Sequence, residues 1–246
     1  YTFRSIQKDP SKAIAEQLKK TAADDIVQDQ ISASIPYGAF SVQYMQEAAN
    51  IYHTNPELVY IPDDPALGRF RPMFGGMLAM FEEDVDESWE NTGKFGNTEN
   101  AVSTESVLED LAADTDNTIN QEALLRVTLF DMLVGDWDRH GGQWRWAESD
   151  IEGGTRYTPV PEDRDNVFFK FGGVIPWIAS RKWALRKFRS FEHEINDIKG
   201  LSFNGRHLHK RGLTEMDRQD WLAQADTLQA ALTDDVLKDA LKQGFP

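Results

Sequence analysis

The chain opens on an alternation. In YTFRSI, Tyr1, Phe3 and Ser5 fall on one side and Thr2 and Arg4 on the other, the period-two signature of a strand. Pro10 and Ser11 then mark a helix start, and SKAIAEQLKKTAADDIVQDQ places Ile14, Leu18, Ile26 and Val27 among polar residues, which predicts a helix with a broad wet face. A Pro36-Tyr37-Gly38 break precedes a second helical pattern, FSVQYMQEAANI. ELVYIP reads as a short strand closed by Pro62 and the turn-rich DDPALG. The apolar run MFGGMLAMF at 73–81 is short enough for a buried strand, and it ends abruptly in EEDVDESWENTGKFGNTEN. That acidic segment is expected either to link two lobes or to lie as a solvated surface loop.

The second half is predicted to be mostly helical. NQEALLRVTLFDMLV has Asn120 as its N-cap and apolar residues at 123, 127, 130 and 134 as well as 125, 129, 132 and 133. A helix apolar around most of its circumference belongs at the centre of a fold. QWRWA and NVFF are predicted as two short strands bracketing a polar insertion. TEMDRQDWLAQADTLQAAL and TDDVLKDALKQG are predicted as helices starting at Thr214 and Thr233, the second closed by Gly244. The fold class is therefore α+β. Its expected organisation is a mixed, partial N-terminal lobe over 1–81, a hinge over 82–100 and a C-terminal lobe over 101–246. Because Tyr1 already stands in mid-strand, the chain is expected to be part of a larger polypeptide.

Composition narrows the chemistry. Of 246 residues, 40% are hydrophobic and 11% aromatic, enough for a real core. Against 41 acidic residues stand 26 basic ones, a formal charge of -15 that disfavours nucleic acid and anionic membrane over most of the surface. A phosphate-bearing ligand would need a local basic cluster or a metal ion. The absence of cysteine excludes disulfides, thiolate catalysis and cysteine-ligated zinc. No apolar run approaches the roughly 18 residues of a membrane span.

One stretch concentrates reactive groups. VGDWDRHGGQWRW, residues 134–146, combines two aspartates, two arginines, a histidine and a glutamine with three tryptophans. Charged groups are costly to bury without partners, yet the tryptophans and the preceding apolar helix argue that the stretch lies against a core. Asp138 is followed by Gln143, and further on EDRDNVFF carries Asp163 and Asp165 ahead of an apolar segment. A carboxylate, a carboxamide and a second carboxylate from two adjacent loops can form an oxygen shell for Mg²⁺ or Mn²⁺ beside a general base. The competing explanation is a set of helix caps and ion pairs.

The pattern of helix, GDWDRHxxQW, hairpin and DRDxVF resembles the catalytic core of the atypical kinase superfamily. There the phosphatidylinositol 3- and 4-kinases carry an Asp-Arg-His-x-x-Asn loop followed by Asp-Phe-Gly, while CotH-type and secretory-pathway kinases share a related loop and HipA-like kinases a looser one. The resemblance covers residues 120–170, and 38–82 faintly. It implies a two-lobed protein-kinase-like fold with ATP and Mg²⁺ between the lobes. Asp138 would be the catalytic aspartate, Gln143 would replace a metal-binding asparagine, Asp165 would bind Mg²⁺ and Asp163 would be a second ligand. Arg139 and His140 match the family's Arg-His pair, expected to brace the loop or touch phosphate. Gln143 is one methylene longer than asparagine, and DRDN is not Asp-Phe-Gly.

The glycine-rich hairpin and anchoring lysine of such kinases are missing from this sequence. If YTFRSI is the third strand, Arg4 stands at or beside the lysine position, with Glu16 or Glu47 as its partner. The backbone near Glu82 and Glu83 would then meet the adenine. His207 and His209 in GRHLHKR are two apart and could share a strand face, without a third ligand nearby in sequence. RKWALRKFR, 181–189, reads as a half-buried helix with a basic face able to meet an acidic or phosphorylated partner. The leading expectation is ATP- and Mg²⁺-dependent phosphoryl transfer to a hydroxyl acceptor in a bacterial protein, cytoplasmic or exported. A metal-dependent phosphoesterase and a degenerate kinase-like interaction module are the alternatives.

Overall fold

Two sheets and a set of helices organise the chain in a computed structural model that describes residues 1–6, 35, 37–86, 88–170 and 189–245. The helix expected after Pro10, with Glu16, and nearly all of the basic cluster at 181–189 lie outside the described residues. The first sheet contains β1 (Thr2–Ser5), β2 (Glu57–Ile61) and β3 (Met77–Glu82) in the order β1-β3-β2, antiparallel throughout. Its register sets Thr2 opposite Glu82 and Arg4 opposite Met80, so Arg4, Met80 and Glu82 share one face. Phe3 lies opposite Phe81 on the other face, where Tyr1 stacks on the same ring with centroids 4.7 Å apart. The alternation read from YTFRSI is thus observed.

β3 starts later than its apolar run suggested. Met73 and Phe74 close a helical turn, Arg71–Phe74, and Gly75-Gly76 reverse the chain into the strand. A Cβ on Gly75 would sit 2.7 Å from the Arg71 carbonyl, and Gly76 adopts φ +75°, so both positions require glycine.

Helix α1 (Gly38–Ala48) covers the Arg4 face of this sheet. Ala39 and Phe40 pack on Met80. Val42, Met45 and Ala49, from the same helix, enter the main core beside Val127, Phe130 and Val134. One amphipathic element therefore joins the first sheet to the helical body.

The second sheet contains β4 (Ala101–Ser103), β5 (Thr118–Ile119), β6 (Trp144–Ile151) and β7 (Gly154–Pro161), ordered β4-β6-β7-β5. β6 and β7 form a hairpin running from Trp144 opposite Pro161 to Ile151 opposite Gly154, with Gly153 at φ +89° in the turn. The partner of QWRWA is thus GTRYTPVP, the segment expected to be a polar insertion. Its two prolines disguise it; both lie beyond the reach of β5, where β7 has become an edge and needs no donor. NVFF, expected to be a strand, is a turn. Phe168 has φ +56°, and Val167 and Phe169 are buried as plugs rather than as ladder residues.

α2 (Thr104–Ala113) follows its Ser103 cap, and α3 (Gln121–Val134) is capped by the Asn120 side chain accepting from Ala123 N–H at 3.2 Å. Leu124, Leu125, Val127, Phe130 and Val134 of α3 are essentially inaccessible, which makes it the central helix. α4 (Arg206–Gly212) and α5 (Arg218–Ala231) pack against it, and α6 (Asp234–Gly244) packs against α1. α5 begins at Asp217 rather than Thr214, through a reciprocal box with Asp220. α6 begins at Thr233 as expected. Its Gly244 serves packing, because a Cβ there would overlap Ser41 of α1.

The acidic segment after β3 is exposed along much of its length but is anchored to the body at Val85 and Phe95. Val85 and Phe95 are buried against Ala147 and Val160 of the hairpin, and Trp89 meets Phe95 edge-on at 4.8 Å. Among the described residues no helix is long and apolar enough to cross a membrane.

Candidate functional site

α3 stops at Gly135, whose φ of +69° gives the left-handed turn that throws the chain across the end of the helix. The loop that follows is fastened by four buried charges. Arg164 donates through one Nη1 to Asp131 of α3 and, at 2.9 Å, to Asp136. Arg139 places Nε 3.3 Å from the other Asp131 oxygen and Nη1 3.7 Å from Asp136. Two carboxylates and two guanidiniums leave no net charge, so burial is tolerable. Burial raises the Asp136 pKa although both guanidiniums oppose it, and burial together with the neighbouring Arg164 lowers that of Arg139.

Arg139 also donates to the Glu162 carbonyl at 2.7 Å and the Gln143 carbonyl at 2.8 Å, and lies 4.5 Å over the Trp144 ring. At 3% exposure its side chain braces the loop and reaches no ligand. These contacts explain why one short stretch mixes charges with tryptophans, and they lock the 136–143 loop to the 162–164 segment after β7.

On that frame sit the groups that converge. Gln143 Nε2 donates to Asp163 Oδ2 at 3.2 Å, and Arg4 Nη1 donates to Asp163 Oδ1 at 2.7 Å. Arg4 Nε lies 3.2 Å from Glu82 Oε1, and the Thr54 hydroxyl donates to Glu82 Oε2 at 3.0 Å. Burial raises the Glu82 pKa above the usual carboxylate range, with Arg4 and Thr54 pulling the other way. Asp163 adopts φ +57°, an uncommon conformation for a residue with a side chain and one that aspartate tolerates better than most. It is held there by the buried Arg164 next to it and by Glu162 N–H donating to the Gln143 carbonyl at 3.0 Å.

His140 is exposed; its Nδ1 accepts from Gly142 N–H at 3.1 Å, and its Nε2 lies 3.4 Å from Gln143 Nε2. Asp138 is half-buried and accepts on Oδ1 from Asn204 Nδ2 at 2.7 Å.

Other expected residues stand elsewhere. Asp165 accepts from its neighbour Asn166 at 2.7 Å, and the aspartate that meets Arg4 and Gln143 is Asp163. Glu47 is exposed on α1, and among the described residues the carboxylates facing Arg4 are Glu82 and Asp163. Glu83 points to Lys94 and to Asn55, whose N–H donates at 2.6 Å; burial alone would raise its pKa, and these hydrogen bonds outweigh it. His207 and His209 lie on α4, where a step of two turns side chains to opposite sides, so they share no face. Burial, aided by the charge of Arg139, pushes the His209 pKa down to about 4.

No protein-family model matches the chain, and comparison with curated proteins returns no significant match.

Among the described residues no three histidine or carboxylate side chains cluster as a metal cage. The oxygen donors at the convergence are Asp163 and Gln143 Oε1, which is buried without a hydrogen-bond partner. The site therefore offers a cation on a sheet, a carboxylate between two loops and an orphaned carbonyl, with a second carboxylate, Asp138, on the braced loop. Asn204 was not foreseen; an asparagine 66 residues from Asp138 in sequence carries no signal of its own.

Proposed function

We propose that the chain is a two-lobed, kinase-like phosphotransferase that uses ATP and Mg²⁺ and delivers the phosphoryl group to a hydroxyl. The observation that carries this reading is Asp163, bonded through one oxygen to a cation on the first sheet and through the other to the carboxamide of the loop after α3. Kinase sites need these parts: a strand cation for the phosphates, an aspartate for the metal, and a loop bearing a catalytic aspartate with an amide ligand a few residues on.

In this reading Arg4 does the work of the lysine, paired with Glu82 of the neighbouring strand instead of a helix glutamate. Asp163 takes the metal-binding role that the sequence suggested for Asp165. Mg²⁺ is commonly held by one or two carboxylates plus substrate phosphates, so a complete protein cage is not required. The orphaned Gln143 Oε1 fits such an ion, since a buried acceptor without a donor is what a cation satisfies. Bound ATP and Mg²⁺ would supply the phosphoryl group and the neutralisation of its charge. The chain's own residues do the rest: Arg4 holds phosphate oxygens, Asp138 orients the acceptor hydroxyl and takes its proton, and Arg139 keeps the loop in register. The segment after β7 lacks the phenylalanine of Asp-Phe-Gly, and no switch of that kind is assigned to it.

Thermal unfolding with and without ATP and Mg²⁺ tests the reading. Ligand at about a hundred times its dissociation constant adds roughly 2.7 kcal/mol. The expected shift is present in the wild type, lost in Asp163→Asn and kept in Asp138→Ala, which in turn loses phosphoryl transfer. A wild type that shows no shift, or transfer retained in both variants, refutes the assignment.

A further inference from the structure

We infer that Asn204 is a positioning residue that aims Asp138 at the acceptor, an inference that rests on the phosphotransferase reading above. Its Nδ2 donates to Asp138 Oδ1 at 2.7 Å, and among the described residues it is the hydrogen-bond partner of that carboxylate. Only the nitrogen of a carboxamide can donate to a carboxylate, so chemistry fixes the orientation of the Asn204 amide. Oδ2 carries no bond among the described residues and is the oxygen left for an incoming hydroxyl.

Three successive contacts align this segment with the loop. Leu201 packs with Trp137 and Phe169, Asn204 bonds Asp138, and Gly205 lies against Arg139. A Cβ at 205 would come 3.3 Å from the Arg139 carbonyl and 2.7 Å from the His209 ring, so glycine permits the approach that brings its neighbour within reach of Asp138. The platform is itself fixed. Asp197 caps the turn Ile198–Leu201 by accepting from Gly200 N–H at 3.1 Å and pairs with Arg189 at 2.9 Å. A neutral donor suits the task, because it orients the carboxylate while leaving its charge and its second oxygen intact.

The experiment follows ADP release from Mg²⁺-ATP by the full chain, alongside nucleotide-induced thermal stabilisation, in wild type, Asn204→Ala and Asn204→Asp. The aspartate keeps the shape of asparagine but cannot donate when ionised. Both variants are expected to lose about 10- to 100-fold in kcat, the scale of a small misplacement of a reacting group. KM for ATP should stay within about twofold and the nucleotide shift should persist, since Arg4, Asp163 and Gln143 are untouched. Wild-type kcat in Asn204→Asp overturns the inference, as does a KM that worsens in step with kcat or a lost nucleotide shift in a folded variant. A wild type that neither binds nucleotide nor releases ADP overturns the phosphotransferase reading first, and this role with it.

Discussion

Replacing Arg164 by methionine asks how much the buried charge cluster contributes. The substitution keeps an apolar stem of similar reach but removes the guanidinium that serves Asp131 and Asp136 together, whose side chains are only 5% and 1% exposed. Arg139 remains, but at 3.3 and 3.7 Å it makes the longer contacts, so one negative charge is left without adequate compensation. Hydrogen bonds to charged groups contribute about 1.5–3 kcal/mol each, and breaking a buried pair costs about 3–5 kcal/mol. The expected loss is therefore about 3–5 kcal/mol, or roughly 6–20 °C in Tm for a chain of this size. Urea denaturation at pH 7 reads it directly. Adding Asp136→Asn should recover much of the loss, because it removes the stranded charge, and a double-mutant cycle isolates that coupling. A single-variant loss below about 1 kcal/mol with no recovery would mean that water already screens the cluster, and the account of a rigidly braced loop would fail.

Three further outcomes follow from the same geometry. The folded Glu82 carboxyl binds its proton more tightly than the unfolded one, so its contribution to stability is full at low pH and is lost as pH rises through its raised value. Glu82→Gln should thus be more stable than wild type at pH 7 in urea melts, with the difference closing toward the ordinary value of 4.5; a less stable variant at pH 7 would contradict it. His209 behaves oppositely. Its pKa falls from 6.5 to about 4, so the unfolded chain takes up a proton first and stability drops across that window by roughly 3 kcal/mol; His209→Asn should flatten the drop, and an NMR titration of the ring near 6.5 would sink the claim. Phe95→Ala should cost about 3–5 kcal/mol, whereas a loss under about 1 kcal/mol would show that the acidic segment is only loosely attached.

Local pattern carried much of the architecture. β1, α1, β2 and the caps at Asn120 and Thr233 follow from alternation, helical period and polar side chains at helix starts. Where long-range contacts decide, pattern misled. β7 hides behind prolines that an edge position makes harmless, and Val167 and Phe169 are apolar because a turn buries them. The site was legible as a neighbourhood: the charges of 136–143 and 162–165 do meet. Roles within it depended on which side chain lies inside. Arg139 is sealed in and braces, Asp163 and not Asp165 turns toward Arg4, and the partner of Asp138 comes from a segment with no distinguishing motif. In the same way, two histidines read as a strand pair when their helix was not foreseen.

The two kinds of ion pair around Asp163 differ in reversibility. The link to Arg4 joins side chains about a third exposed, 34% and 30%, the class of contact contributing only about 0–1 kcal/mol and weakened by salt. The quartet of Asp131, Asp136, Arg139 and Arg164 is nearly sealed from solvent and far less sensitive to ionic strength. The Arg4–Asp163 pair can therefore open without disturbing the core, whereas the quartet cannot. The molecule joins an exchangeable latch to a fixed frame, and added salt should loosen the first while leaving the second closed.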